Sequence, residues 1–352
     1  MKHRVETLVI LSPGFPANEA DTVCVPSQQI FVKALKEICP GLNIIVLALQ
    51  YPFTSASYQW HGIKVIAING TNKGKLKRLS TWAKTWKVLG KIQREYRLMG
   101  LLSFWFGECA LVGSYFAKRH HLTHYSWLLG QDAKGGNKYF KWIRPRGDSL
   151  IALSDFIAKE VTENYGISPL QVIPVGIDTS LFNTPPAKRD IDILAAGSLI
   201  PLKQYHLFIE TVAFLKRFFP GISAVICGNG PQMAALKAKT ESLDLKSNIF
   251  FAGELPHREV LELMQRSKVF LHPSAYEGFG AVLSEALYAG AHVVSFCKPM
   301  NKEYRHHYIV NDQEEMNLRT LAILKNTRRG HDPVLMCTAQ QIAKNVISLF
   351  VS

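Results

Sequence analysis

The sequence predicts an α/β protein built from two doubly wound domains, each a mostly parallel sheet with helices on both faces. Short apolar runs of strand length alternate with helical stretches from one end of the chain to the other, which is the order that βαβ units produce. The chain has 352 residues and is 47% hydrophobic, enough for two domains of ordinary size with a core each. The rhythm breaks once, at 183–189 (Asn-Thr-Pro-Pro-Ala-Lys-Arg), where paired prolines and charges read as a hinge.

In the first half, strands are expected over 7–12, 43–49, 64–68, 101–106, 124–129 and 150–153. In the second half they are expected over 192–196, 223–227, 248–251, 269–271 and 292–296, with helices opening after Pro201, Pro231, Leu255 and Phe279. The expected domains are 1–183 and 184–335, followed by a C-terminal helix over 336–352 that packs back toward the first. No repeat or low-complexity tract interrupts them.

Composition narrows the possible functions. Six cysteines stand apart, without a C-x-x-C pair or a His-Cys cluster, so reduced thiols and no structural zinc are expected. No segment has the length of a membrane span. The apolar run Leu8 to Leu11 is too short for a signal-peptide core, so a cytoplasmic chain is expected. The net charge of +14 is uneven, because residues 51–150 hold 17 Lys and Arg against 4 Asp and Glu. On a helix over 73–97, Leu79, Trp82, Trp86 and Leu89 share one face, and Lys73, Lys77, Lys84, Lys87 and Lys91 another. Two readings remain: a core-packed helix with a solvated basic back, or a surface that lies against anionic lipid at the inner face of the plasma membrane. No nucleic-acid recognition motif accompanies the charge, so no nucleic-acid partner is expected.

The most informative stretch runs from Tyr276 to Leu287, a glycine-punctuated turn opening a helix, directly after a strand that ends at His272-Pro273. Free N–H groups at a helix start favour an anion, and Gly278 and Gly280 let it approach the backbone. Glu277 and Glu285 add carboxylates, which suit sugar hydroxyls far better than phosphates. A nucleotide sugar carries both chemistries. On a helix the eight-residue separation is about 12 Å. That is too far for the carboxyl pair, about 5 Å apart, of a glycosidase-type double displacement.

Glu277 and Glu285 stand at the E-x7-E spacing of the retaining family 4 glycosyltransferases, and the chain resembles that family in three further blocks. These are Val172 to Phe182 (VIPVGIDTSLF), Ala195 to Lys203 (AAGSLIPLK) and the turn Gly228-Asn229-Gly230-Pro231. The resemblance implies a GT-B fold, two facing Rossmann-like domains with a cleft between them, the first binding acceptor and the second the nucleotide sugar. It implies a metal-independent, retaining hexosyltransferase without a cofactor, acting on a glycan or lipid-linked acceptor in surface polysaccharide or lipopolysaccharide synthesis.

By the same resemblance, Glu277 contacts the donor sugar and Lys203 supplies a positive charge to the diphosphate as the leaving group gains negative charge. The backbone from Gly278 through Phe279, Gly280, Ala281 and Val282 holds the diphosphate, and Glu285 binds the ribose. Glu254 lies in the loop that borders the nucleobase. Ser198 stands where the family usually has an arginine, so one diphosphate-binding cation is missing unless Arg258 or Lys298 replaces it. On the acceptor side, Gly14 lies in the loop after the first strand. Gln131 and Asp132 follow Leu129, which stands in place of the family's histidine. His124, earlier in that strand, is expected to pack in the sheet.

Two other readings stay open. Asp190-Ile191-Asp192 is a formal D-x-D of the kind that holds manganese in the other large transferase fold, although it precedes a strand instead of ending one. The replacements at Ser198 and Leu129 also fit a catalytically weak or inactive nucleotide-sugar-binding scaffold.

Overall fold

The computed structural model describes residues 5–71, 74–182, 188–326, 328 and 330–351. The chain packs as two compact units, one comprising 1–176 together with 339–352 and the other 177–338. Most of the expected hinge, 183–187, lies outside the described residues.

The first unit runs β1 (Glu6–Gly14), α1 (Pro26–Ile38), β2 (Asn43–Tyr51), β3 (Ser55–Trp60), β4 (Ile63–Ile68), α2 (Lys75–Glu95), β5 (Arg97–Phe104), α3 (Glu108–His120), β6 (Thr123–Leu128), α4 (Lys138–Ile143), β7 (Leu150–Ala152), α5 (Asp155–Tyr165) and β8 (Gln171–Val172). These strands form one sheet in the order β3-β4-β2-β1-β5-β6-β7-β8. Every neighbouring pair is parallel except β3 and β4, a hairpin whose tip residues His61 and Gly62 both have positive φ, +46° and +72°. That geometry matches the right-handed twist of the strands.

Continuous apolar runs explain the central strands. Val9, Leu11, Ile45, Leu47 and Leu101 are fully buried against Leu89, Ile92, Cys109, Val112 and Phe116 from α2 and α3. Each such side chain contributes roughly 1.5–3 kcal/mol by leaving water. Strand β5 begins four residues before the expected 101 and ends at Phe104, because Trp105 adopts φ +61° and breaks the pleat. β3 has no counterpart among the expected strands. It is a polar, largely exposed edge, Ser-Ala-Ser-Tyr-Gln-Trp, with no apolar run to betray it.

Helix α2 buries only part of the expected face: Leu89 lies in the core and Trp82 packs against it. Thr81, Thr85, Leu89 and Ile92 point inward, while Leu79 is 56% exposed and Trp86 38%. The two threonines tolerate burial because their hydroxyls donate to the carbonyls of Lys77 (3.0 Å) and Thr81 (2.8 Å) one turn back. Lys77, Lys84, Lys87 and Lys91 are exposed, and Lys73 lies outside the described residues. Among the described residues no helix is long and apolar enough to cross a membrane.

The second unit runs β9 (Ile191–Ala196), α6 (Tyr205–Lys216), β10 (Ala224–Cys227), α7 (Met233–Ser242), β11 (Ile249–Gly253), α8 (His257–Arg266), β12 (Ser267–His272), α9 (Ala281–Tyr288), β13 (His292–Ser295), β14 (His307–Ile309) and α10 (Gln313–Lys325). Its sheet is parallel throughout, in the order β11-β10-β9-β12-β13-β14. Successive β9 side chains serve opposite layers: Ile193 and Ala195 pack with Phe208, Ile209 and Val212 of α6, and Leu194 and Ala196 with Leu261, Met264, Leu283 and Ala286 of α8 and α9. Both faces of the strand are therefore covered, as its apolar run from Ile193 to Ala196 requires.

The last helix, α11 (Ala339–Val351), belongs to the first unit, where it packs on α1. Tyr125 of β6 meets it with an edge-on contact to Phe350 (5.1 Å) and donates its hydroxyl to the Leu349 carbonyl (3.0 Å). At the base of that helix, Ile177 and Thr338 form a parallel β-bridge that draws the two ends of the second unit together.

Candidate functional site

In the second unit the sheet grows in opposite directions from β9 and β12, so their carboxyl ends flank a topological switch point. The residues singled out in the sequence converge there. After β9 the chain turns through Gly197 and Ser198, then through a short 3-10 turn, Pro201–Lys203, into α6. After β12 it runs through Pro273 to Glu277 and enters α9 at Ala281.

Two contacts tie these loops together: the Ala275 amide donates to the Leu202 carbonyl (2.9 Å), and the Ser274 hydroxyl reaches the same carbonyl at 3.3 Å. The result is an ion pair in which Lys203 Nζ donates to Glu277 Oε2, each side chain only 18% exposed. His272, the last residue of β12 and almost fully buried, shares that oxygen through Nε2 at 3.1 Å. Burial on its own would raise the Glu277 carboxyl, but the His272 hydrogen bond and the Lys203 charge outweigh it and hold the group at about 2. Burial also lowers His272, so the ring is neutral at pH 7 and can donate from Nε2.

Glu285 sits two turns along, 9% exposed, with its carboxylate 2.8 Å from His257 Nε2 at the start of α8. Burial opposes the charged form of His257, yet the hydrogen bond and charge of Glu285 raise the imidazole overall. The two glutamates thus have separate cationic or donor partners. Gly280 takes φ +69°, and a Cβ there would come within 2.9 Å of both Glu277 Cγ and Leu283 Cδ1, so the turn into α9 requires glycine. The Phe279 side chain is interior, 2% exposed, leaving its backbone as the part available to a ligand. Ala281 and Val282 form the first turn of α9 and are half-buried.

Neighbouring residues have simpler surroundings. Ser198 and Glu254 are exposed. Arg258 is 70% exposed on its side chain and lies 3.7 Å from Glu262, one turn along α8, and Lys298 is exposed beyond β13. The Gly228-Asn229-Gly230 turn packs backbone to backbone on the loop after β9: a Cβ on Gly228, where φ is +138°, would lie 2.0 Å from the Gly197 carbonyl oxygen.

Three residues that sequence reasoning passed over complete this site. His272 and His257 partner the two glutamates. The Tyr205 hydroxyl is buried without a hydrogen-bond partner among the described residues, in a position 2.9 Å from where a Gly197 Cβ would be. His272 could have been found as the terminal residue of a strand that feeds the glycine turn. Tyr205 and His257 open helices and carry no spacing signal.

The D-x-D carboxylates lie at the opposite end of β9. Asp190 accepts from Arg266 through both oxygens (2.9 and 2.6 Å), and Asp192 pairs with Lys268 at 2.7 Å while accepting from the Ser223 amide at 2.9 Å. No group of three or more His, Cys, Asp or Glu side chains suited to a metal occurs among the described residues.

In the first unit, Gly14 ends β1 and Gln131 is exposed in a 3-10 turn. The Asp132 carboxylate accepts from the amides of Phe106 (2.7 Å), Gly130 (2.8 Å) and Leu129 (3.2 Å), so its oxygens fold the loop. His124 is half-buried, 2.9 Å from the Ser103 hydroxyl, and desolvation of its ring lowers it to about 3.

Comparison with known proteins identifies the family. Residues 31–181 match the model of Glycosyltransferase Family 4, and residues 177–328 that of Glycosyl transferases group 1. Over 177 residues the chain is 30% identical to glycogen synthase of Mycobacterium tuberculosis, covering 49% of this chain and 43% of that protein. Over 164 residues it is 28% identical to the gpi3 subunit of phosphatidylinositol N-acetylglucosaminyltransferase of Schizosaccharomyces pombe, covering 45% and 36%. The chain thus spans less than half the length of these curated relatives. Among solved structures, Anabaena HepE in complex with UDP and glucose superimposes with a TM-score of 0.70 at 17% identity, over 99% of this chain and 98% of that one. WaaG, a glycosyltransferase involved in lipopolysaccharide biosynthesis, gives 0.63 at 16% identity, over 99% and 95%. With two consecutive family models running from residue 31 to residue 328 and two doubly wound units of this topology, the chain belongs to the family 4, group 1 glycosyltransferases of GT-B type.

Proposed function

We propose that the chain transfers a hexose from a nucleoside diphosphate sugar to a hydroxyl of a glycan or lipid-linked acceptor, with retention of anomeric configuration and without a metal ion. The observation that carries this reading is the Lys203–Glu277–His272 cluster beside the start of α9 at the second switch point. In the reaction the bond from the anomeric carbon to the diphosphate oxygen breaks, and the acceptor oxygen bonds to that carbon. The acceptor proton leaves with the nucleoside diphosphate. Lys203 and the backbone amides from Gly278 onward stabilise the charge that gathers on the departing diphosphate.

Glu277 stays ionised at any physiological pH and accepts hydroxyl hydrogens of the donor hexose, while Glu285 accepts those of the ribose. The lost arginine charge at Ser198 leaves Lys203 as the principal cation of the site. Exposed lysines on α2 support a peripheral position at an anionic membrane surface on the cytoplasmic side, where a lipid-linked acceptor would lie.

Thermal-shift measurements with UDP-, GDP- and ADP-sugars test the donor assignment. A nucleotide at a hundred times its dissociation constant adds about 2.7 kcal/mol of stability. UDP comes first, because it is the nucleotide bound in the Anabaena neighbour. The anomeric proton coupling of the transferred sugar then reads retention. Absence of any shift across the panel would overturn the donor assignment.

A further inference from the structure

A cavity of about 370 Å³ lies in the second unit among β14, α10 and the 296–306 loop that joins β13 to β14. Its wall includes Lys298, Lys302, Tyr304, His307, Tyr308 and Arg319, and none of the Lys203–Glu277–His272 cluster. β14 ends the six-stranded sheet, so the cavity sits two strands beyond β12, apart from the switch point.

The charge of this cavity is unbalanced. Lys298, Lys302 and Arg319 share it with a single carboxylate, Glu303, and among the described residues none of the three forms an ion pair. Two of them are nevertheless held in place: Lys302 Nζ lies 5.3 Å from the Tyr304 ring centroid, and the Arg319 guanidinium carbon 5.2 Å from that of Tyr308. A ring face attracts a cation without neutralising it, so both keep their charge and their N–H donors. His307 adds no charge at pH 7, because burial, and then the proximity of His272, lower it to about 4. Its Nε2 is fastened to Ser295 Oγ at 2.9 Å, and Ser295 Oγ donates to the Cys297 carbonyl at 3.0 Å, which fixes the loop on that side.

Three cations against one carboxylate suit a ligand with close to two negative charges. A phosphomonoester has about −1.5 to −2 near pH 7 and three strong acceptor oxygens. The guanidinium fork and the two ammonium groups supply the donors that those oxygens need. A single carboxylate would match only half of that charge. Met300, Ile309 and Met336 line the rest of the wall, so the group that carries the phosphate meets apolar surface. The volume is near the lower end for ligand pockets, which limits that group to a small ring or a short chain end.

We propose that this cavity is a second anion site of the second unit, separate from the donor site, that binds a phosphomonoester through Arg319, Lys302 and Lys298. The phosphate can belong to a small soluble molecule or to a lipid headgroup, since the recognising chemistry is the same. The proposal does not rest on the transferase reading above.

The experiment uses the full chain. Glucose-6-phosphate and glycerol-3-phosphate are titrated calorimetrically, with glucose and succinate as controls, and flotation is measured with phosphatidylcholine vesicles that do or do not contain phosphatidic acid. Arg319→Gln and Lys302→Gln are the variants, both at exposed positions where folding tolerates the change. A soluble phosphomonoester or the phosphatidic acid vesicle should bind the wild type, and whichever binds identifies the source. That binding should weaken about tenfold or more in both variants, the loss expected for one charge-assisted hydrogen bond. Thermal shifts with UDP should be the same in wild type and variants. The site is overturned by no binding in either arm, by binding that either variant retains, by equal binding of glucose or succinate, or by a UDP shift lost together with phosphate binding. Variant-sensitive phosphomonoester binding in a chain that binds no nucleoside diphosphate supports the site and instead removes the donor assignment.

Discussion

Lys203 and Glu277 lie 74 residues apart in sequence, yet their side chains meet in a nearly buried ion pair where the ends of β9 and β12 converge. His272 shares the same carboxylate oxygen, so the pair is part of a three-residue cluster. Such a cluster is costly to break from one side, because the remaining charge stays desolvated.

Glu277→Gln and Lys203→Ala should therefore each reduce transfer by orders of magnitude, and Lys203→Ala should also weaken binding of plain nucleoside diphosphate. Turnover assays and calorimetric titration with UDP and GDP check both. Unchanged turnover in the two variants would remove these residues from the site.

The same carboxylate sets an acid limit. Its ordinary value of 4.5 falls to about 2 in the folded chain, so its stabilising contribution is complete above pH 4.5 and disappears as the pH drops toward 2. The contribution is on the order of 3 kcal/mol. Unfolding free energy measured from pH 6 to pH 3 should fall less steeply in Glu277→Gln than in the wild type; parallel curves would contradict the assignment.

His257 acts with the opposite sign. Its folded-state value is raised above 6.5 by Glu285, so the pair stabilises fully below pH 6.5 and weakens as the pH rises through the raised value. In His257→Gln the thermal midpoint should lose this slope between pH 6 and pH 8. If wild type and variant lose stability equally over that range, the histidine is not the titrating group.

Tyr205→Phe removes a buried hydroxyl that has no partner among the described residues. Deleting an unsatisfied group of this kind is neutral or stabilising by about 1 kcal/mol. A chemical denaturation midpoint that falls markedly would mean that the hydroxyl has a partner in solution.

Gly228→Ala should lower stability for a steric reason. Its Cβ would fall 2.0 Å from a backbone oxygen that no side-chain rotation can move, at a φ that alanine disfavours. A loss above about 2 kcal/mol is expected in denaturant titration; a near-neutral result would require the Gly197 loop to shift.

Much of this architecture is legible in the sequence because parallel strands buried on both faces carry continuous apolar runs, as in residues 8–11 of β1, 44–49 of β2, 193–196 of β9 and 269–271 of β12. β3 escapes notice for the complementary reason: an exposed edge paired on one side needs no apolar residue. The buried face of α2 is misleading because Thr81 and Thr85 satisfy their own hydroxyls within the helix, whereas the exposed Trp86 rests edge-on against Phe116. At the site, Glu277, Glu285 and Lys203 stand out through motif spacing. Their partners His272 and His257 depend on which loops meet in space, and no local spacing encodes that.

The bridge between Ile177 and Thr338 makes 177–338 an insert whose entry and exit points are neighbours. Excising that insert and joining Gly176 to Ala339 through a few flexible residues would preserve the α1–α11 packing, and a deletant of this design should fold alone. A fragment stopped at Gly176 would instead expose the surface that α11 covers and should precipitate.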